Sequence, residues 1–85
     1  MASYKLLIKP SAVKELEDVP RKDRRRLATK MRRLADEPRP AGVEKLHGHE
    51  LYRVRQGSYR ILYEILDREL TVTIIKIGHR REVYR

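Results

Sequence analysis

No cysteine occurs anywhere in the 85 residues. That removes a disulfide framework and any zinc site built on thiolates, and it suits a reducing compartment. Tryptophan and phenylalanine are absent as well, and five tyrosines are the only aromatic side chains, which leaves few rings to stack on bases. No apolar run approaches the roughly 20 residues of a membrane-spanning helix, and the N-terminus lacks a secretory signal pattern. The expectation is a soluble, cytoplasmic protein with no membrane partner. Acidic residues are in the minority, 12 Asp+Glu against 21 Lys+Arg, for a formal charge of +9. Such a balance predicts a polyanionic partner. The excess is not a tail: residues 1–50 hold 13 basic and 8 acidic side chains and residues 51–85 hold 8 and 4, so the charge belongs to a folded surface. A chain of 85 residues makes one domain, 1–85, with one small core and room for a single site.

What is present reads as alternating strand and helix signals. Tyr4 to Lys9 is apolar enough for a buried first strand, and Pro10 ends it because proline offers no ladder hydrogen bond. Ser11 is expected to cap a helix running to about Asp18, with Ala12, Val13 and Leu16 on one face, before Val19-Pro20 interrupts. A second helix, from about Arg21 to Asp36, carries Leu27, Met31 and Leu34 at i, i+4 and i+7, flanked by Ala28 and Ala35. Its other face is nearly all Lys and Arg. Pro38 to Gly42 breaks the pattern, and the stretch through Gly48 reads as an irregular connection with Val43 and Leu46 turned inward. Leu51–Gln56, Tyr59–Leu66 and Leu70–Ile77 then read as strands joined by Gly57-Ser58 and Asp67-Arg68-Glu69. The expected fold is α+β in the order β-α-α-β-β-β. An N-terminal helical hairpin covers one face of a small antiparallel sheet and leaves the other for a ligand.

A two-residue turn at Gly57-Ser58 sets Arg55 directly opposite Arg60, Val54 opposite Ile61, Arg53 opposite Leu62 and Tyr52 opposite Tyr63. Three arginines then share one face, since successive side chains of a strand alternate. Like charges paired across strands are destabilising, so this arrangement suits an anion that receives them. The alternative is that each arginine snorkels to solvent or meets Glu64 or another carboxylate. Arg80, Arg81 and Tyr84 follow the last strand, where the chain can fold back beside the hairpin; read alone, they are a polar tail.

Three stretches in order, Tyr52-Arg53-Val54-Arg55, Gly57-Ser58-Tyr59-Arg60-Ile61-Leu62-Tyr63, and Ile77-Gly78-His79-Arg80 with Glu82-Val83-Tyr84, make the chain resemble the RelE family of bacterial and archaeal toxins, within the RelE/ParE superfamily. The resemblance covers essentially the whole chain and implies a RelE-like microbial RNase fold. It implies the toxin of a type II toxin–antitoxin system: a ribosome-dependent endoribonuclease, or mRNA interferase. Such a toxin cuts messenger RNA in the ribosomal A site, inhibits translation, and is silenced by a cognate acidic antitoxin. The family's basic positions and near-terminal tyrosine fall here on Arg53, Arg55, Arg60, Arg80 and Tyr84. Some relatives carry lysine where this chain has arginine.

The chemistry implied is the attack of a 2′-hydroxyl on the adjacent phosphorus, which leaves a 2′,3′-cyclic phosphate. It requires withdrawal of the 2′ proton, neutralisation of charge on phosphorus and protonation of the leaving oxygen, and it needs no metal or other cofactor. Arginine cannot act as a base, so Arg53, Arg55 and Arg60 are cast as phosphate clamps, Arg60 within the catalytic set, with Arg81 as a further phosphate contact. Tyr84 is the preferred general base, its phenolate favoured by neighbouring arginines. Arg80 would stabilise the phosphorane. His79 is the rival acid or base, because histidine titrates nearest neutrality. His47 and His49 flank Gly48 but lack further ligands, so a loop role is their default. Glu64 and Glu82 read as salt-bridge partners of the arginines.

The runs Arg24-Arg25-Arg26 and Arg32-Arg33 are read either as a solvated helix face or as sequence-independent affinity for ribosomal RNA. Two other functions fit the same chain. A ParE-like poison of DNA gyrase would share the fold without nuclease activity, and an RNA-binding module would hold RNA without cutting it.

Overall fold

The computed structural model of the protein describes residues 3–46 and 50–79. Chain order is β1 (Lys5–Ile8), α1 (Pro10–Glu17), α2 (Arg21–Asp36), β2 (Glu44–Lys45), β3 (Leu51–Gln56), β4 (Tyr59–Leu66), a single 3₁₀ turn at Asp67–Glu69, and β5 (Thr71–His79). The expected α+β order is present, with the two-residue β2 added within the Pro38–Gly48 connection. The strands form one sheet ordered β1-β5-β4-β3-β2. Strands β2 to β5 are antiparallel throughout, and β1 joins the far side of β5 in parallel, Leu6 beside Val72 and Ile8 beside Ile74.

Helix α2 begins and ends where its periodicity predicts, Arg21 and Asp36, because Leu27, Met31 and Leu34 are the stripe it buries. The start of α1 differs from expectation. Lys9, with φ −62° and ψ 145°, is the cap and Pro10 the first helical residue, so Ser11 lies inside the first turn. Proline suits that position: its missing N–H would have had no partner there, and its ring presets φ.

The core lies between the helices and one sheet face. Ala12, Val19, Leu27, Met31 and Leu34 meet Tyr52, Val54, Ile61, Tyr63, Ile65, Val72, Ile74 and Ile77, all buried. Ile74 and Ile77 are both nearly inaccessible although three residues apart, which a regular two-residue alternation forbids. A bulge reconciles them: Leu62 pairs with Lys76 and Tyr63 with Ile74, leaving Ile75 unmatched. The bulge also decides which face the end of β5 presents. Beyond it, Gly78 lies opposite Arg60 and His79 opposite Tyr59.

Gly57 takes φ 61° while Ser58 stays at negative φ, the pattern of a type II′ turn with glycine first. This turn sets the β3–β4 register, which is Arg55 to Arg60, Val54 to Ile61, Arg53 to Leu62 and Tyr52 to Tyr63, as the sequence predicts. The next turn carries Leu70 at φ 47°, a left-handed conformation that strains a side-chain-bearing residue; no glycine marks it in the sequence.

Candidate functional site

Strand alternation puts Arg53, Arg55 and Arg60 on the sheet face opposite the helices, since their neighbours Val54 and Ile61 are buried toward α2. Arg60 is 9% exposed, the Arg53 side chain 12% exposed, and Arg55 is open to solvent. Gly78 is the β5 residue opposite Arg60 and adds no side chain of its own there. Strand β2 pairs with Tyr52 and Arg53, and among the described residues no strand pairs with that edge of β3 from Val54 onward. A cavity of about 540 Å³ wraps that edge, lined by Lys30, Ala41, Gly42, Glu44, Arg53, Val54, Arg55 and Arg60.

Four cations and one carboxylate therefore face a common space. The carboxylate is Glu44, whose Oε1 accepts from Arg53 Nε at 3.2 Å and Nη2 at 3.0 Å. Among the described lining residues one acid stands against four bases, and arginine forks are matched to carboxylate and phosphate oxygens. The arrangement can bind an oxyanion and neutralise charge that develops on it. Among the described residues no group of three or more His, Asp or Glu side chains lies together as a metal site.

The connection bearing Ala41, Gly42 and Glu44 is anchored by a polar and aromatic chain. Tyr63, fully buried, donates its hydroxyl to the Pro38 carbonyl at 2.6 Å and stacks on Tyr52, ring centroids 5.9 Å apart. Arg39 lies 5.1 Å over the Tyr52 ring, donates to the Tyr52 hydroxyl at 3.2 Å, and grips Asp67 with two bonds at 2.9 and 3.2 Å. Tyr4 donates to the same carboxylate at 2.7 Å. Burial pushes the Tyr63 phenol well above its ordinary value. The Arg39 guanidinium, with Tyr4, holds the Asp67 carboxyl below the usual carboxylate range.

His79 is placed apart from the arginines. It lies on the helix-covered face with Tyr59, ring centroids 5.9 Å apart and nearly perpendicular. There it lines a separate cleft of about 270 Å³ with Glu15, Asp18, Val19 and Lys76. In that cleft Glu15 bridges Lys76 Nζ at 2.7 Å and accepts the Ile77 N–H at 2.9 Å, capping the part of the β5 edge that β1 leaves open. Among the described residues no ion pair involves Glu64, and the carboxylate that Arg53 meets is Glu44. Arg80, Arg81, Tyr84 and Glu82, with His47 and His49, lie outside the described residues. Lys30 and Glu44 were not singled out by the sequence; one belongs to a long basic helix and the other to a connection, and only the tertiary fold joins them.

Among the described residues, no helix is long and apolar enough to cross a membrane. Residues 6–84 match the family model described as the ParE toxin of the type II toxin–antitoxin system parDE. Toxin RelG of Mycobacterium tuberculosis is 44% identical over 34 residues, a match spanning 40% of this chain and 39% of that protein. The archaeal RelE–RelB complex from Pyrococcus horikoshii contains a chain that superposes with a TM-score of 0.84 at 31% identity, covering 94% of this chain and 98% of that one. The toxin–antitoxin complex RelBE2 from M. tuberculosis gives 0.83 at 26% identity, covering 96% and 97%.

Proposed function

The chain belongs to the RelE family of type II toxin–antitoxin toxins, in the RelE/ParE superfamily, and from that premise we propose that it is a metal-independent endoribonuclease acting on messenger RNA positioned in the ribosomal A site. The observation that carries this reading is the convergence of Arg53, Arg55, Arg60 and Lys30 on one cavity in which, among the described residues, Glu44 is the one carboxylate. A poison that acted only through protein contacts would have no need to gather four cations in a recess.

In this mechanism the scissile phosphate sits against Arg60, with Arg53 and Arg55 holding its oxygens and those of its neighbour. Tyr84 withdraws the 2′ proton, and the 2′-oxygen bonds to phosphorus as the bond to the 5′-oxygen breaks. The products are a 2′,3′-cyclic phosphate and a 5′-hydroxyl, the leaving oxygen taking a proton from water while Tyr84 keeps the one it withdrew. Arg80, one residue beyond β5, neutralises the pentacoordinate phosphorus, and Arg81 contacts a flanking phosphate. Fixed guanidinium donors stabilise such a transition state because they need no reorganisation as charge develops. His79 receives no role, since its side chain is across the sheet from Arg60. The ribosome orients the substrate, which so small a protein cannot do alone. By analogy with the RelB-bound relatives, an acidic antitoxin holds the toxin silent.

Toxicity in cells tests the assignment. Tyr84→Phe and Arg80→Ala are expected to abolish growth arrest while both proteins stay folded and still sediment with ribosomes. If both arrest growth like the parent, the assigned site is wrong. A second reading is favoured by the description of the matching family model, a ParE toxin: a gyrase poison would arrest growth with those two variants and would leave broken DNA rather than cut messenger RNA.

A further inference from the structure

Helix α2 carries cations that the cavity does not absorb. Lys22, Arg26, Lys30 and Arg33 fall at i, i+4, i+8 and i+11, a stripe along one flank about 16 Å long at 1.5 Å per residue. Lys22, Arg26 and Arg33 are exposed. Cations four apart on a helix repel one another, yet among the described residues no ion pair involves any cation of α2, whereas Arg39, Lys45, Arg53 and Lys76 each have a carboxylate. On the other flank Arg24 bonds the Val19 carbonyl and Arg32 the Thr29 hydroxyl. Lys22, Arg26 and Arg33 face outward, as do Arg21 and Arg25 beside them. It borders a groove of about 330 Å³ lined by Arg25, Arg26, Thr29, Lys30, Arg33 and Gln56. Lys30 lines this groove and the arginine cavity alike, and Gln56 ends the strand that carries Arg53 and Arg55.

We propose that the α2 stripe is a second phosphate-binding surface continuous with the cavity, so that one single-stranded polynucleotide runs from the Arg53–Arg60 recess over Lys30 and along Arg26 and Arg33. The inference rests on the reading of the cavity as an RNA site and extends it by naming the path of the strand beyond the cleaved bond. The contacts are to the backbone, without base readout, because the stripe and groove offer no aromatic ring for stacking. The stripe serves to hold flanking nucleotides while the recess holds the reacting one.

The test measures binding of uncleavable 2′-O-methyl RNA of about five and about twelve nucleotides across a salt series, for the parent, Arg26→Gln/Arg33→Gln and Arg60→Ala. Each lost phosphate contact on a single strand lowers the slope of log affinity against log salt by about 0.7. The double variant is expected to lower the slope for the longer RNA by about 1.4 and to leave the shorter one unchanged, while Arg60→Ala weakens both. If the double variant weakens both lengths equally, its cations act as diffuse charge and the track is refuted. If it changes neither, the track is also refuted and an acidic polypeptide becomes the partner of this flank. Arg60→Ala leaving both lengths unchanged would sink the cavity reading, while the double variant still reports on the stripe by itself.

Discussion

Changing Tyr63 to Phe removes one oxygen from the most deeply placed tyrosine and leaves the packing volume nearly intact. The side chain is fully buried, and its hydroxyl gives the Pro38 carbonyl a 2.6 Å bond. Removing the donor strands that carbonyl, a loss of about 1–3 kcal/mol for a buried group. For a domain of this size each kcal/mol moves the melting temperature by about 4–8 °C, so a central value of about 2 kcal/mol lowers it by about 8–16 °C. Alkaline pH adds a second signature. Burial raises the Tyr63 phenol in the folded protein, whereas the unfolded chain titrates near its ordinary value of about 10. The folded state therefore holds this proton more tightly. The stability that results is complete below about pH 10 and is lost as pH climbs toward the folded value. Tyr4, raised mainly by its bond to Asp67, acts in the same direction, so the variant keeps that part of the alkaline dependence and loses the Tyr63 part. Thermal melts at neutral pH with urea titrations from pH 8 to about 11 measure both effects. A melting temperature within about 2 °C of the parent, with an unchanged alkaline profile, would refute the anchoring role given to Tyr63.

Asp67→Asn should flatten the acid limb of stability, because Arg39 and Tyr4 hold this carboxyl low when folded. The contribution exists above the unfolded value of about 4 and disappears as pH falls through the folded one; urea titrations at successive acid pH values reveal it, and an unaltered acid limb would count against it. Glu44→Gln removes the carboxylate that lines the cavity among the described residues and should tighten binding of short RNA, read as a lower dissociation constant; weaker binding would mean that Glu44 orders Arg53 rather than competing with phosphate. Arg60→Lys keeps the charge and loses the planar fork, so cleavage should fall about a hundredfold, the scale for one lost transition-state donor, with circular dichroism unchanged. Full activity in that variant would show that Arg60 supplies only charge.

The parts legible in the sequence were those fixed by local chemistry. Gly57-Ser58 set a two-residue turn, the turn set the register, and alternation put Arg53, Arg55 and Arg60 on one face. Helix α2 was readable to its ends because its apolar stripe has an uninterrupted helical period. The bulge was not readable: Ile74-Ile75-Lys76-Ile77 contains no glycine or proline to mark it, and it arises because Ile74 and Ile77 both gain by burial in the same core. It is also what turns His79 away from the arginines. Lys30 and Glu44 escaped notice because each sits in a segment whose own pattern gives no reason to single it out. The pairing of Arg39 with Asp67, 28 residues apart, depends on how the Pro38–Gly42 connection meets the β4–β5 turn. The Ser11 cap failed because proline at the first helical position competes well with a serine cap one residue later.

The most direct measurement incubates the purified protein with a defined messenger RNA, free and on ribosomes with an empty A site, and maps both ends of any product. Cleavage confined to ribosome-bound RNA, leaving a 2′,3′-cyclic phosphate and a 5′-hydroxyl and abolished by Tyr84→Phe, is the predicted result. Intact messenger RNA in the presence of folded, ribosome-bound protein would contradict it.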